Sequence, residues 1–259
     1  MRAINAIATI AYRDFMKFLR DRTRILATFI FPFLFIGILG GSLQSNLAED
    51  AGYNFMAFIF TGVVGQVMFQ STAAGIISLI EDRKNDFSQE LFVSPVSRYT
   101  IIFGKLVGES LVSLAQGIGV VIFGLVVGVP LTLAQFIQMS PAVVVSGLFG
   151  GAFGLLVLSN LSSERSANQI FPFVIFPQFF LAGVFSPIKN LPFVLDILSK
   201  LSPMRYAVDL VRGIYYLGAP EYEKTVLASP IVNIVVIGTL FAIFMVLGTV
   251  MFVRNERNR

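Results

Sequence analysis

From Ser110 to Ser163 the chain carries no charged residue. Soluble proteins hold roughly a quarter of their residues charged, so a run this long has no place on a wetted surface. About 20 apolar residues cross the hydrocarbon core of a bilayer, which makes this run two crossings and a turn. Pro130, Gln135, Gln138 and Pro141 supply the turn, dividing the run into spans at 102–129 and 141–161. Further charge-poor runs give spans at 25–43, 55–80, 167–188 and 229–253. The whole chain is 56% hydrophobic and 13% charged, so lipid must cover much of its surface. The expected fold class is an all-α integral membrane protein with six transmembrane helices, one transmembrane domain over 1–259.

Composition also removes chemistry. His and Cys are absent, and with them go disulfides, thiol nucleophiles, imidazole bases and the usual zinc and haem ligands. The acids are not clustered as a hard-cation site would need. Catalytic residues and metal ligands are therefore both expected to be none. Gly104-Lys105 lacks the upstream Gly and the following Ser or Thr of a P-loop, so ATP is not bound by the chain itself. The basic residues flank apolar runs, which suits anionic lipid headgroups rather than nucleic acid. With 27 Phe and no Trp, interfacial anchoring falls to the seven Tyr and to Arg and Lys.

Lys and Arg set the orientation. Fourteen of them fall in the N-terminal segment, the loop after span two, the turn after span four and the C-terminal tail; five fall on the other side, all after span five. Both termini are thus predicted to be cytoplasmic. No secretory signal is evident at the start; residues 1–22 read instead as an amphipathic interfacial helix. Ile4, Ile7, Ala8, Ala11, Phe15, Phe18 and Leu19 recur at helical spacing, with Arg13, Asp14, Lys17 and Arg20 on other faces.

Within the spans, Gly37/Gly41, Gly124/Gly128, Gly147/Gly151 and Gly150/Gly154 are four apart, a spacing that lets helix backbones approach within one subunit or between two. Gln66 and Gln70 share a face of span two, Gln116 lies in span three and Gln178 in span five. Such amides join helices or line a path. Span five holds Pro172 and Pro177, which loosen a helix, with Phe173, Phe176 and Phe180 along one side. Glu109 is the acid nearest the membrane interior and is placed to pair with Lys105 at i,i+4.

Two segments are not spans. In 83–98, Asp86 to Val93 reads as a short helix that offers Phe87, Leu91 and Phe92 to one side, ended by Pro95. An apolar patch ringed by charge marks a protein contact. In 189–216, Leu191, Leu195, Leu198 and Leu201 form one stripe, and Ser202-Pro203 is an N-cap with a first-turn proline. Tyr206, Leu210, Val211, Ile214 and Tyr215 form a second stripe. These are two amphipathic helices too short to cross, which re-enter the outer leaflet or roof a pore. Asp209 and Arg212, three apart, are placed to pair on one face.

Two of these segments resemble a known family. LFVSPVSR at 91–98, followed by Gly104-Lys105, looks like the coupling-helix loop of the type-two ABC exporter permeases. Gly183, Pro187, Leu191-Pro192, Ser202-Pro203, Tyr206, Asp209 and Arg212 resemble that family's extracellular signature. The resemblance implies an ATP-driven exporter of a hydrophobic or amphiphilic, drug-like or lipid-like substrate. It implies two separate ABC ATPase subunits that hold ATP and Mg, a second copy of this permease or a close homologue, surrounding membrane lipids, and a prokaryotic plasma membrane. Asp86, Phe87, Gln89, Glu90, Leu91, Phe92, Pro95 and Arg98 become the ATPase-coupling residues. In that family spans one and five flank the substrate route, so Phe173, Phe176 and Phe180 become path residues, with the amides Gln66, Gln70 and Gln178 as further candidates to line it. Pro187, Pro192, Pro203, Tyr206, Asp209 and Arg212 become the extracellular gate. A polysaccharide or lipid-linked glycan exporter is the nearest rival. A stand-alone channel or carrier would need ionisable groups at mid-membrane, and an intramembrane enzyme would need the nucleophiles or paired acids that are missing.

Overall fold

The computed structural model of the protein describes residues 2–82, 97–158, 161 and 163–257. The longest helices follow the apolar runs, because a backbone in lipid must satisfy its own hydrogen bonds. In chain order they are α1 (Arg2–Arg20), α2 (Arg22–Pro32), a π-helical stretch (Phe33–Gly40), α3 (Gly41–Ala51), α4 (Phe55–Gly75), α5 (Ile77–Asp82), α6 (Arg98–Val126), α7 (Leu133–Leu158), α8 (Glu164–Leu181), α9 (Phe193–Leu201), α10 (Pro203–Tyr215), α11 (Tyr222–Thr225) and α12 (Pro230–Arg257). Among the described residues, five stretches are long and apolar enough to cross a membrane: Arg22–Leu47, Phe55–Ile80, Arg98–Val126, Leu133–Leu158 and Tyr222–Arg254. The proline-bearing α8, 18 residues with Glu164 in its first turn, is not one of the five.

The π-helical stretch follows Pro32, whose missing N–H interrupts the α-type ladder of the first span. Asn54 caps α4 by accepting from the Ala57 N–H (2.9 Å), and the Gln44 side chain accepts from the Phe55 N–H (2.7 Å). The turn expected over Pro130–Pro141 is confined to 127–132. Thr132 and Gln135 close a reciprocal capping box, Gln135 N–H to Thr132 Oγ1 (3.2 Å) and Thr132 N–H to Gln135 Oε1 (2.9 Å). That box starts α7 early and places Gln138 and Pro141 inside it.

α4 is the axis of the bundle. Phe58, Ile59, Phe60, Val63 and Val64 are all buried, and a helix apolar on every side belongs at the centre. α6, α7 and α10 pack around it. Gly150 and Gly154 of α7 lie on the α4 backbone at Phe69 and Ala73, where any Cβ would collide. Both glycine pairs of α7 thus pack within this chain, Gly147 against Ser113 and Gly151 against Leu106 and Thr72. Gly41 faces open space. The outermost helices, α2 and α12, turn apolar side chains such as Leu26, Ile30, Val235 and Val246 outward, as a lipid-solvated bundle does.

Candidate functional site

α10 carries Tyr206, Asp209 and Arg212, expected at an outer gate, and its position departs from expectation. Its stripe pattern predicts one wet face, yet Met204, Ala207, Val208, Asp209, Leu210, Val211, Arg212, Gly213 and Tyr215 are all buried among α4, α7 and α12. Gly62 and Gly65 make room for it. A Cβ on Gly65 would lie 2.8 Å from Val208 Cα, and one on Gly62 would lie 2.8 Å from Arg212 Nη2. Sequence reading passed over this Gly62-x-x-Gly65 pair, although small residues on a central span are the signal for such an approach.

Asp209 and Arg212 do not pair with each other, contrary to expectation. Arg212 reaches across to α4 and to the turn after α8. Its Nη2 donates to the Phe58 carbonyl (3.2 Å) and the Gly183 carbonyl (2.9 Å), and its Nε to Thr61 Oγ1 (3.3 Å). The guanidinium also lies 3.7 Å from the centre of the Phe58 ring, a cation–π contact. Gly183 sits at φ 67°, the conformation that turns its carbonyl toward the arginine. Asp209 accepts from the N–H groups of Leu227 (2.8 Å) and Ala228 (2.9 Å) and from Asn233 Nδ2 (2.8 Å), fixing the approach to α12. The pairing fails because backbone dipoles of other segments solvate each charge first.

Ser202 does not cap α10 with its own side chain, as the Ser-Pro pair had suggested. The Gln178 carbonyl does so from α8, accepting from Ser202 Oγ and the Met204 N–H, each at 3.2 Å. Gln178 is therefore held at the start of α10, apart from Gln66 and Gln70. Pro203 is the first residue of α10, Pro192 directly precedes α9, and Pro187 is exposed. Tyr206 donates to the Lys200 carbonyl (2.8 Å). Tyr215 donates to the Pro130 carbonyl, and burial pushes its phenol up to about 12, keeping that proton in place. α9 exposes Leu195, Leu198 and Leu201, as well as Phe193 and Val194 beyond the expected stripe.

Of the other residues expected on a path, Gln66 and Gln70 lie together. Gln66 and Gln70 share a hydrogen bond and line a cavity of about 230 Å³ between α2, α4 and α6. Gln116 completes it, donating to Thr28 Oγ1 (3.1 Å), with Ser71 on the wall and Arg24 at the rim. The Gln66 side-chain oxygen and the Ser71 hydroxyl, on two residues of its lining, are buried without a hydrogen-bond partner. Its aromatic wall is Phe31, whose ring meets Phe179 of α8 edge-on at 5.4 Å. Phe35 stacks on Phe185 at 4.3 Å, and Phe185 meets Phe180 at 5.9 Å. Phe173 and Phe176 point outward on α8, 82% and 61% exposed. An aromatic seam thus runs from the cavity to the outer face of α8.

At the end of the bundle where α1 packs along α6, charges are buried together. Lys105 is 1% and Glu109 2% exposed. Lys105 Nζ lies 2.9 Å from Asp14 Oδ2 and 3.8 Å from Glu109 Oε1, and Arg24 Nη2 lies 3.6 Å from Glu109 Oε2. Arg13 pairs with Asp14 at 2.9 Å. The expected Lys105–Glu109 pair exists within this larger cluster. Asp14, placed by spacing on the polar side of a surface helix, instead faces α6, because Gly104 and Gly108 let Ile10 and Ala11 come within van der Waals distance. Arg98 begins α6 one residue after its N-cap Ser97. Asp86, Phe87, Gln89, Glu90, Leu91, Phe92 and Pro95 lie outside the described residues.

Residues 5–216 match the ABC-2 type transporter family. Among similar proteins is ycf38 of Cyanophora paradoxa, named as a transport permease, 23% identical over 220 residues that span 82% of this chain and 74% of that one. YbhR of Escherichia coli K12, named as a multidrug ABC transporter permease, is 30% identical over 162 residues, 59% of this chain and 43% of the relative. The inner membrane transport permease YadH of the same strain is 25% identical over 206 residues, covering 79% and 80% of the two chains. With most of its length matched, including both segments whose motifs pointed there, the chain belongs to the ABC-2 type transporter family.

Proposed function

We propose that this permease is the membrane subunit of an ATP-driven exporter that moves an amphiphilic, drug-like or lipid-like molecule out of the cell. The observation that carries this reading is the cavity between α2, α4 and α6, with amides and hydroxyls at its floor and a phenylalanine seam leading to α8. A polar head fits the amide and hydroxyl residues of the lining, and an apolar tail fits the rings. A short seam beside a small cavity suits an amphiphile better than a glycan chain. In this reading α8 completes a sixth crossing, both termini are cytoplasmic, and α1 lies at the inner membrane surface. Two ABC ATPase subunits, holding ATP and Mg, press on 83–98, with Phe87, Leu91 and Phe92 as the docking side chains. A second copy of the chain completes the path, and α9 with α10 covers its outer end.

The test is reconstitution of the permease with its ATPase in lipid vesicles and a screen of amphiphiles for stimulated hydrolysis. Gln66→Leu and Phe31→Ala are each expected to raise the concentration for half-maximal stimulation by about three- to tenfold, the loss of one polar or one ring contact. Stimulation curves that superimpose on wild type would remove this cavity from the route.

A further inference from the structure

The end of α4 and the N-terminal helix meet on one carboxylate. α4 stops at Gly75, and α5 runs from Ile77 to Asp82, directly before the 83–98 segment. A Cβ on Gly75 would overlap Glu109, so the missing side chain is what seats the carboxylate against the break. From that seat Glu109 Oε1 accepts from Ser78 Oγ of α5 (3.3 Å) and faces Lys105 at 3.8 Å. Oε2 faces Arg24 of α2 at 3.6 Å and accepts no hydrogen bond. Lys105 carries the connection to Asp14 of α1 at 2.9 Å.

Glu109 thus ties α2 and α5 to α6, and Lys105, its neighbour on α6, carries the link on to Asp14 of α1. The hold is loose in a specific way. A buried carboxylate is stable when several donors point at it, and among the described residues this one accepts one long bond, from a neutral hydroxyl that also donates to the Gly75 carbonyl. Its two cations stand beyond hydrogen-bond range on either side. A displacement of α5 by an ångström or two away from Gly75 would take Ser78 away. It would also leave room for the carboxylate to close a full charge-assisted bond with Arg24 or Lys105. Two partners competing for one buried acid make a two-position element of the kind that can pass a bias between sites.

We infer that Glu109 is the positioning residue through which motion of the 83–98 segment reaches α1 and α2. The inference rests on the ATP-driven function proposed above. It assigns to Glu109 a role in linking hydrolysis to transport, with no contact to substrate or nucleotide.

The experiment uses the assembled permease–ATPase complex in vesicles and reads substrate moved per ATP hydrolysed. Glu109→Gln keeps the shape and removes the charge. It is expected to lower that ratio at least about tenfold while hydrolysis stays within about twofold of wild type, the size of an ordinary coupling free energy. Glu109→Asp, which restores the charge, is expected to recover the ratio to within about threefold. A Glu109→Gln ratio equal to wild type overturns the inference. So does a parallel fall of hydrolysis and transport at equal amounts of assembled complex, which is what a merely structural role gives. Should Glu109→Gln fail to assemble, Ser78→Ala decides, because it leaves the carboxylate in place and removes the α5 contact to it, along with the Ser78 bond to the Gly75 carbonyl: a lowered ratio at unchanged hydrolysis supports the inference and an unchanged ratio overturns it. Absence of ATP-driven transport by the wild-type complex overturns the exporter reading itself and this inference with it.

Discussion

The permease buries charge in two places, by opposite means. Around α10, Arg212 toward α4 and Asp209 toward α12 are each surrounded by hydrogen-bond partners that belong mostly to the backbone: two carbonyls for one, two N–H groups for the other. At the α1 end, Asp14, Lys105 and Glu109 meet one another, Arg13 and Arg24 through side-chain charges. Backbone dipoles are fixed by the helices that carry them, so the first arrangement has one geometry. Side-chain charges can exchange partners, so nothing in the backbone fixes the second to one geometry. In a protein that must stay assembled and yet move, these are the signatures of a joint that is locked and a joint that can slip.

The contrast can be broken by mutation. Its largest expected effect is at Arg212. Arg212→Leu strands the Phe58 and Gly183 carbonyls in a low-dielectric interior and leaves a packing defect, a loss of about 3–5 kcal/mol. The purified variant is expected to lose its cooperative thermal transition or to accumulate poorly in membranes. A variant as stable as wild type would mean that the guanidinium is not what joins α10 to α4. Asp209→Asn comes next. It keeps an acceptor but cannot serve all three donors, a cost of about 1–3 kcal/mol read as a lowered thermal midpoint. The smallest effect belongs to Arg24→Gln, since the side chain is 40% exposed and its ion contact is 3.6 Å long. A change of about 0–1 kcal/mol is expected there. If Arg24→Gln instead matched Arg212→Leu, the slipping joint would be as rigid as the locked one.

Much of the bundle was legible along the chain because bilayer thickness leaves a long apolar run few alternatives. The runs at 55–80 and 229–253 closely match α4–α5 and α12, and the Leu stripe with Ser202-Pro203 marks α9 and α10 as separate short helices. What could not be read is where α10 goes. The partners that drive it inside, at Phe58, Gly183 and residues 227–228, are remote in sequence, and no local spacing announces them. Thr132 and Gln135 did carry a readable signal, a capping box, but the neighbouring prolines argued for a longer turn. The candidate cavity was half legible. Gln66 and Gln70 share a face by spacing, whereas Gln116 and Phe31 join them only through packing, and Gln178 was drawn away by the bare start of α10. Asp14 was misread because helical periodicity shows which residues share a side, not which side finds a partner.

The π-helical stretch in the first span has a mechanical consequence. Each of its hydrogen bonds spans one residue more than an α-type bond, so its turns are wound more loosely. The half of the span beyond Gly40 is thereby rotated about the axis relative to where an unbroken α-helix would aim it. Should Phe33–Gly40 tighten to α geometry, Gly41–Ala51 would swivel while Arg22–Pro32 stayed put, and the stack of Phe35 on Phe185 would come apart without any helix having to bend.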